Sequence, residues 1–303
     1  MSDKKPMPRI EVYNRLAAAH TSGTGNKESF KRPAPPPPPN VAATPVPPVQ
    51  TPGEKSAELS PVELPSNFIP YDFQTLYVRP IRGIHQSKFT LSAKKQSVRI
   101  LVETVSSLLE GTSAFDLTVA DFRWLLYYLR KVNYVRVPLT VTAYCSNEDH
   151  LKRVQKEEVH ADTLKNIGSL NQSILDERAL DQELLNSTIA QDEILQKMPL
   201  GWQTMRDLVE IVERSDSTGE DIDDWVWLAE MASFVKKDQG GQTLTLQQRI
   251  DYVAQLTPEE TTSLAKYAQL SGDYGVSEFI RMRCKECGAE ILEPFQLSAR
   301  NFL

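Results

Sequence analysis

The chain has few of the residues on which several large protein classes depend. Its 303 residues include three cysteines, an odd number that is too small for a disulfide-bonded scaffold. Two of the three stand in one CxxC, which favours a reducing compartment and a metal site. No segment approaches the roughly 20 apolar residues of a membrane span, and residues 1–25 lack the apolar run of a signal peptide. The sequence therefore predicts a soluble protein that stays in the compartment where it is made.

Motifs of the common enzyme classes are also missing. The sequence contains no GxSxG, no P-loop, no GxGxxG and no HExxH, and it has only four histidines. Its paired carboxylates, Asp223-Asp224 and Glu259-Glu260, stand at predicted helix starts, where negative charge complements the helix dipole. We therefore predict no catalytic residues and a protein that is not an enzyme.

Proline and charge divide the chain into two regions. Fifteen of the 20 prolines fall in the first 70 residues, and residues 33–52 are so rich in proline that they favour a polyproline II or extended tether. Within this N-terminal arm, taken as residues 1–63, residues 8–20 place apolar side chains at helical spacing and form a candidate docking motif. The first 64 residues carry 8 basic and 6 acidic side chains, so the remainder carries 26 and 34, a net charge of −8. This acidic body argues against broad nucleic-acid binding.

The body, residues 64–303, is predicted to be of the α+β class, mainly helical with a small antiparallel sheet. Apolar stripes and capping residues predict the helices, and alternating β-branched and aromatic residues predict the strands. The predicted helices cover 97–109, 117–134, a segment around 202–212, 221–235, 244–256 and 257–270. The predicted strands cover 73–82, 135–144, 276–283 and 291–297, with a loop at 238–241. The polar residues 151–198 are predicted to form a charged helical insertion.

A metal site is the sharpest chemical prediction. Cys284 and Cys287 form a CxxCG between two predicted strands, the form of a zinc knuckle, in which the glycine supplies the positive φ of the turn. A structural site takes four ligands, and Cys145 is the remaining thiol. His150 follows it at a C-x4-H spacing, with His160 as the alternative fourth ligand. We therefore predict a structural Zn²⁺ on Cys145, His150, Cys284 and Cys287 that closes the small sheet.

Several weak motifs occur in an order typical of one known family. They are Leu64-Pro65-Ser66, Tyr71, Val78-Arg79-Pro80-Ile81, Leu117–Arg130, Cys145, Cys284–Gly288 and the tail Pro294–Leu303. In this order they resemble the baseplate hub assembly protein family of contractile-tailed (myovirus-type) bacteriophages. Three features depart from the family pattern, and the first is the loss of one phenylalanine from the Phe-rich tail. Lys285 stands where a proline is usual, and the second cysteine of the first metal half is missing, with His150 placed to substitute for it.

The resemblance implies a non-enzymatic structural or assembly protein (a chaperone) of the phage tail baseplate. Its partners would be other baseplate and tail proteins, reached through the N-terminal arm, or further copies of the chain, with no membrane and no nucleic acid. It would act in the host cytoplasm during assembly or remain in the virion tail. From the residues alone, the alternative is a cytoplasmic zinc-containing adaptor whose Pro-rich arm recruits a partner domain. A nucleic-acid-binding zinc protein is a third interpretation, supported only by Arg281, Arg283 and Lys285 at the knuckle.

Overall fold

The structure is a computed structural model of the chain. The residues it describes are 59–136, 139–156, 165–169, 175–218, 222–236, 238–239, 242–295 and 297–302. The predicted docking motif at 8–20, the Pro-rich stretch at 33–52 and His160 lie outside them. The chain divides into two units, Met1–Lys55 and Ser56–Leu303, and the described residues belong to the second. Within that part of the chain, no helix is both long and apolar enough to cross a membrane.

Helices and short antiparallel sheets alternate along the described residues. The helices are α1 (Gly83–Lys95), α2 (Val98–Ser106), α3 (Val119–Asn133), α4 (Glu148–Lys156), α5 (Gln182–Gln191), α6 (Glu193–Lys197), α7 (Met205–Thr218), α8 (Ile222–Ser233), α9 (Leu246–Val253) and α10 (Pro258–Gly272). The strands are β1 (Ser60–Val62), β2 (Leu76–Val78), β3 (Leu109–Glu110), β4 (Thr140–Tyr144), β5 (Lys165–Ser169), β6 (Leu175–Arg178), β7 (Asp238–Gln239), β8 (Gln242–Thr243), β9 (Gly275–Arg283) and β10 (Glu290–Pro294). They form sheets of order β1-β2-β3, β10-β9-β6, β4-β5 and β7-β8. The fold is therefore mixed, with helices and small antiparallel sheets, as the sequence predicts.

The largest hydrophobic core packs the first sheet against α1, α2, α3 and α7. Each of these elements contributes a buried side chain to it: Leu76, Phe89, Val102, Leu125 and Met205. Strand β1 pairs antiparallel with β2 and places Val62 in the same core. The folded unit therefore includes Ser60–Val62, which the sequence analysis assigned to the N-terminal arm.

The helix predicted at 117–134 is confirmed as α3. Its N-cap Thr118 accepts a hydrogen bond from the backbone N–H of Asp121, which satisfies one of the unpaired donors of the first turn. The predicted apolar stripe of this helix is buried: Phe122, Leu125, Leu126 and Leu129. Trp124 and Tyr128 stack on each other at 5.4 Å between ring centroids and pack against the same core. The aromatic side chains of α3 thus serve packing.

The charged helical insertion predicted at 151–198 is only partly helical. Part of this segment is helical, in α4, α5 and α6, but β5 and β6 lie within it as well. Strand β5 pairs with β4 along its whole length, and β6 pairs with β9. Both strands contain few apolar residues and are stabilised by partners distant in sequence, so local periodicity could not reveal them.

Smaller corrections have local causes. Helix α1 was not predicted, because only Phe89 and Ser92 of its 13 residues are buried and no continuous apolar stripe exists. The strand predicted at 73–82 is reduced to β2, with Pro80 beyond its end. The predicted loop at 238–241 begins with strand β7, which pairs with β8 directly after this segment. The remaining predicted helices and strands are present with bounds shifted by a few residues, and α10 begins at the predicted Thr257 cap.

Candidate metal centre

Two neighbouring elements place Cys145 and His150. Cys145 directly follows β4, and α4 begins three residues later. The side chain Oδ1 of Asn147 accepts a hydrogen bond from the backbone N–H of His150 at 3.1 Å, and its carbonyl accepts one from Leu151 at 2.9 Å. This cap starts the helix and fixes His150 in its first turn. The C-x4-H spacing therefore spans a strand end and a helix start.

The hairpin of β9 and β10 carries the other two cysteines. The strands pair antiparallel up to Arg283 opposite Glu290. Beyond this pair, the N–H of Cys284 donates to the carbonyl of Ala289 at 2.8 Å, and the N–H of Gly288 donates to the carbonyl of Cys284 at 2.9 Å. Gly288 has the positive φ of 71° expected for the CxxCG turn. The knuckle predicted from the sequence is thus the tip of a regular hairpin.

All four predicted ligands meet. One ligand atom from each of Cys145, His150, Cys284 and Cys287 lies within 4.8 Å of the others, so the cluster could hold a metal ion. The Sγ atoms of Cys145 and Cys287 are 3.6 Å apart, and Cys284 Sγ is 3.6 Å from His150 Nδ1. A tetrahedral zinc with bonds of about 2.3 Å to sulfur and about 2.0 Å to nitrogen sets its ligand atoms roughly 3.5–3.8 Å apart. Both separations fit that geometry.

The cluster is enclosed on most sides. Cys145, His150 and Cys284 are buried, and Cys287 is exposed. Apolar side chains from α3, β4 and the hairpin surround the buried cysteines: Tyr127, Ala143, Ile280, Met282 and Ile291. Nε2 of His150 is buried and has no hydrogen-bond partner among the described residues. The imidazole of His150 is buried with its Nδ1 beside the sulfur of Cys284, so it is oriented for ligation through that nitrogen.

The buried thiols differ in proton affinity. Burial, reinforced by the neighbouring side chains of Cys287 and Cys284, raises the pKa of Cys145 to about 11. Burial also acts to raise the pKa of Cys284, but hydrogen bonds from the backbone N–H groups of Cys287 and Glu286 and from the other two thiols outweigh it and lower the value to about 6. Since metals bind the thiolate, Cys284 is ready to bind at neutral pH, whereas Cys145 must release its proton on binding.

Asn166 is a residue of the centre that sequence reasoning missed. It lies in β5 opposite Ala143 of β4, and its side chain is buried. Its Oδ1 accepts a hydrogen bond from the backbone N–H of Lys285 at 3.0 Å, inside the CxxC turn. Asn166 thereby joins the β4–β5 pair to the knuckle. No local signal marks it, because its role depends on the register of β5 against β4.

Comparisons with known proteins add no relative. No protein-family model, no curated protein and no solved structure matches the chain. The function must therefore be argued from the residues and their geometry.

Proposed function

We propose that this chain is a non-enzymatic structural or assembly protein of the baseplate hub in a contractile phage tail. The observation that carries the proposal is the meeting, in one buried network, of residues from three of the motifs that resemble that family. Ser66 and Tyr71 lie close together in the sequence, and Asp121 in α3 lies 55 and 50 residues after them. Residues that hydrogen-bond to one another in the core are needed together to form the fold. A protein that shares this fold would therefore carry the same motifs in the same order.

The network is centred on the carboxylate of Asp121. Its Oδ1 accepts a hydrogen bond from the backbone N–H of Ser66 at 3.2 Å, and its Oδ2 accepts one from the hydroxyl of Tyr71 at 2.6 Å. The hydroxyl of Thr118 donates to the same Oδ2 at 3.1 Å, and that of Tyr274 lies 2.6 Å from Thr118 Oγ1. The network thus ties the entry of the body to α3 and to the start of β9.

The other motif residues also serve the framework. Phe302, from the tail, stacks on Phe89 of α1 at 4.4 Å between ring centroids, and its carbonyl accepts a hydrogen bond from the hydroxyl of Tyr134 at 2.9 Å. The backbone N–H of Ile81 donates to Oδ1 of Asn133 at 3.1 Å. These motif residues pack in the core or hold neighbouring segments in place, which supports a structural role for the chain.

The metal in this proposal is zinc. Three thiols and one imidazole form a donor set that suits Zn²⁺. Four protein ligands leave no coordination position for water or substrate, so the ion would act as a structural crosslink. It would join the end of β4 to a hairpin about 140 residues later, with Cys145 and Cys287 separated by 142 positions.

A nonsense mutation in the gene for this chain, in the contractile-tailed phage that carries it, tests the tail function. We expect infected cells to accumulate heads and tail parts without complete baseplates, visible by electron microscopy. Wild-type chain supplied from a plasmid should restore intact particles. Normal contractile tails in the mutant, or an origin of the gene outside any phage genome, would contradict the proposal.

Mass spectrometry of purified mature particles distinguishes a structural component of the virion from an assembly protein that leaves before the particle is complete. A small-integer ratio to a tail protein of known copy number would make the chain a virion component. Its absence from particles, despite abundance in infected cells, would make it an assembly chaperone.

A further inference from the structure

Charge of one sign is concentrated in one stretch of the acidic body. Residues 73–102 contain no Asp or Glu and six Lys and Arg, although residues 65–303 together carry 26 basic and 34 acidic side chains, a net charge of −8. Helix α1 occupies the middle of this stretch. A charge distribution of this kind creates a local positive field on an otherwise negative surface.

The cations of α1 are not neutralised within the described part of the chain. Arg79 and Arg99, at the two ends of the stretch, pair with Glu110 and Glu213. The cations between them, Arg82, Lys88, Lys94 and Lys95, are all exposed, and none makes an ion pair to a described residue. The pKa of His85 is lowered, first by burial and then by Lys88 and Arg82, which is consistent with an uncompensated positive field.

Two aliphatic side chains lie among these cations. Ile84 is 65% exposed and Leu91 is 43% exposed, while Phe89 and Ser92 are the buried side chains of the same helix. Residues 84, 88, 91 and 95 follow the i, i+4, i+7, i+11 pattern, so Ile84, Lys88, Leu91 and Lys95 share one side of α1. We call these four residues the α1 stripe. It alternates apolar and basic side chains along the helix.

We propose that the α1 stripe binds an acidic amphipathic helix of another protein. The spacing of its apolar side chains matches the anchors of helix-to-helix recognition, and its lysines match carboxylates beside the apolar residues of such a helix. A phosphate backbone would satisfy the lysines but leave Ile84 and Leu91 against water. The helical face of a protein supplies both kinds of contact.

Two segments of this chain are poorly suited to bind the α1 stripe. The α1 stripe of a second copy carries the same positive charge and would be repelled. The candidate docking motif at 8–20 contains Arg9 and Arg15 against Glu11, a net positive charge. We assign the surface to a different, acidic protein, and any such protein could use it whether or not the chain acts in a phage tail. The two proposals can fail separately.

Fluorescence anisotropy with synthetic peptides and the full chain tests the proposal. The probe is a labelled amphipathic helix with leucines at i, i+3 and i+7 and glutamates on both sides of them. One control peptide has lysines in place of the glutamates, and another has the same composition in scrambled order. We expect the glutamate helix to bind, the controls to bind at least about tenfold more weakly, and the affinity to fall with salt.

Paired variants locate the binding. Charge reversal at Lys88→Glu with Lys95→Glu, and separately Ile84→Ser with Leu91→Ser, should each weaken binding about tenfold. The matched controls are Lys236→Glu with Lys266→Glu and Leu184→Ser with Leu292→Ser, at exposed positions in other elements, and they should bind as the wild type does. All eight substituted positions are exposed, and circular dichroism checks that each variant is folded.

Several outcomes would overturn the proposal. These are no binding of the glutamate helix, equal loss in the stripe variants and their controls, or binding that depends on the lysines but not on Ile84 and Leu91. Duplex DNA and phosphatidylserine vesicles are tested in parallel. Tighter stripe-dependent binding to either of them would assign the surface to that ligand instead.

Discussion

At the level of single residues, the three cysteines have unequal roles in the candidate metal centre. Cys145 and Cys284 are buried and Cys287 is exposed, and the pKa of Cys284 is lowered to about 6. The largest of the hydrogen bonds that lower it come from the backbone N–H groups of Cys287 and Glu286 within the CxxC. Cys284 is therefore the thiolate on which metal binding should begin.

Replacing that thiolate tests the centre directly. We expect Cys284→Ser to lose the bound metal, measured by inductively coupled plasma mass spectrometry, and to lower Tm by on the order of 10 °C, because a structural metal contributes free energy of folding. Arg283→Ser, at the exposed neighbouring position, is the matched control and should keep both. A Cys284→Ser variant with unchanged metal content and unchanged Tm would show that the metal crosslink is wrong.

The buried carboxyl group of Asp121, at the centre of the hydrogen-bond network with Ser66, Tyr71 and Thr118, predicts that the free energy of unfolding depends on pH. Burial raises the pKa of Asp121 above its ordinary value of 3.8, and hydrogen bonds from Tyr71, Ser66 and Thr118 only partly oppose this. A carboxyl group with a raised pKa in the folded state contributes stability that is fully present below its unfolded pKa and is lost as pH rises through its folded pKa.

The Asp121→Asn variant isolates this contribution. The free energy of unfolding of the wild type minus that of the variant should increase as pH falls from neutral towards about 4, measured by urea unfolding at a series of pH values. Asparagine keeps an acceptor oxygen for Ser66 and does not titrate, and the metal centre is common to both proteins. A difference that is flat, or that decreases towards acid, would contradict the raised pKa.

At the level of elements, β5 is the strand on which the geometry of the knuckle depends. It pairs with β4, which leads to Cys145, and its buried Asn166 accepts a hydrogen bond from Lys285 in the CxxC turn. Groups that hold ligand-bearing backbone in place affect metal affinity without touching the metal. The same strand was hidden in a segment whose composition favoured helix.

Removing the Asn166 amide should loosen the knuckle. We expect Asn166→Ala to weaken zinc binding about tenfold and to cost about 1–2 kcal/mol of stability, because the partly buried backbone N–H of Lys285 loses its acceptor. Competition with a chromophoric zinc chelator measures the affinity. Ile167→Ala, at the next position of the strand where the side chain is 53% exposed, should change the affinity by less than about twofold. Equal effects of the two variants would mean that the hydrogen bond does not position the turn.

At the level of the whole molecule, the candidate metal centre and the main core involve different clusters of buried apolar residues. The residues around the cysteines form one apolar cluster, with Tyr127, Ile280 and Ile291 among its members. The main core is a different cluster, built from the first sheet and α1, α2, α3 and α7. Regions with their own contacts can open separately.

Chelation should therefore have a local effect. Hydrogen exchange with mass spectrometry, before and after removal of zinc by a chelator, should show faster exchange in α4, β9 and β10. Exchange in α7, α8 and α9 should be unchanged, because the buried Arg249 of α9 pairs with Asp207 of α7 at 2.8 Å and donates to the carbonyl of Ala232 in α8 at 3.1 Å, and neither contact needs a metal. Uniformly faster exchange would show that the metal supports the whole unit, and no change would show that it supports nothing.

The sequence by itself determined the parts of this protein that depend on neighbouring residues. Helices α3 and α10 were predicted from apolar periodicity and from the caps at Thr118 and Thr257, which act within one turn. The CxxCG hairpin was predicted because its cysteines, its glycine and both flanking strands are contiguous. The four ligands could be proposed by counting, since a tetrahedral site with two cysteines needs two more donors and few remained.

Only the tertiary structure decided what depends on distant pairing. It placed β5 and β6 in a segment predicted to be helical, because those strands are stabilised by partners rather than by their own composition. It brought His150 to Cys284, and it gave Asn166 its position at the knuckle through the register of β5. It also formed α1, whose outer side chains are apolar and basic without a described partner. In each case the deciding free energy comes from a contact across many residues of chain, which local sequence does not encode.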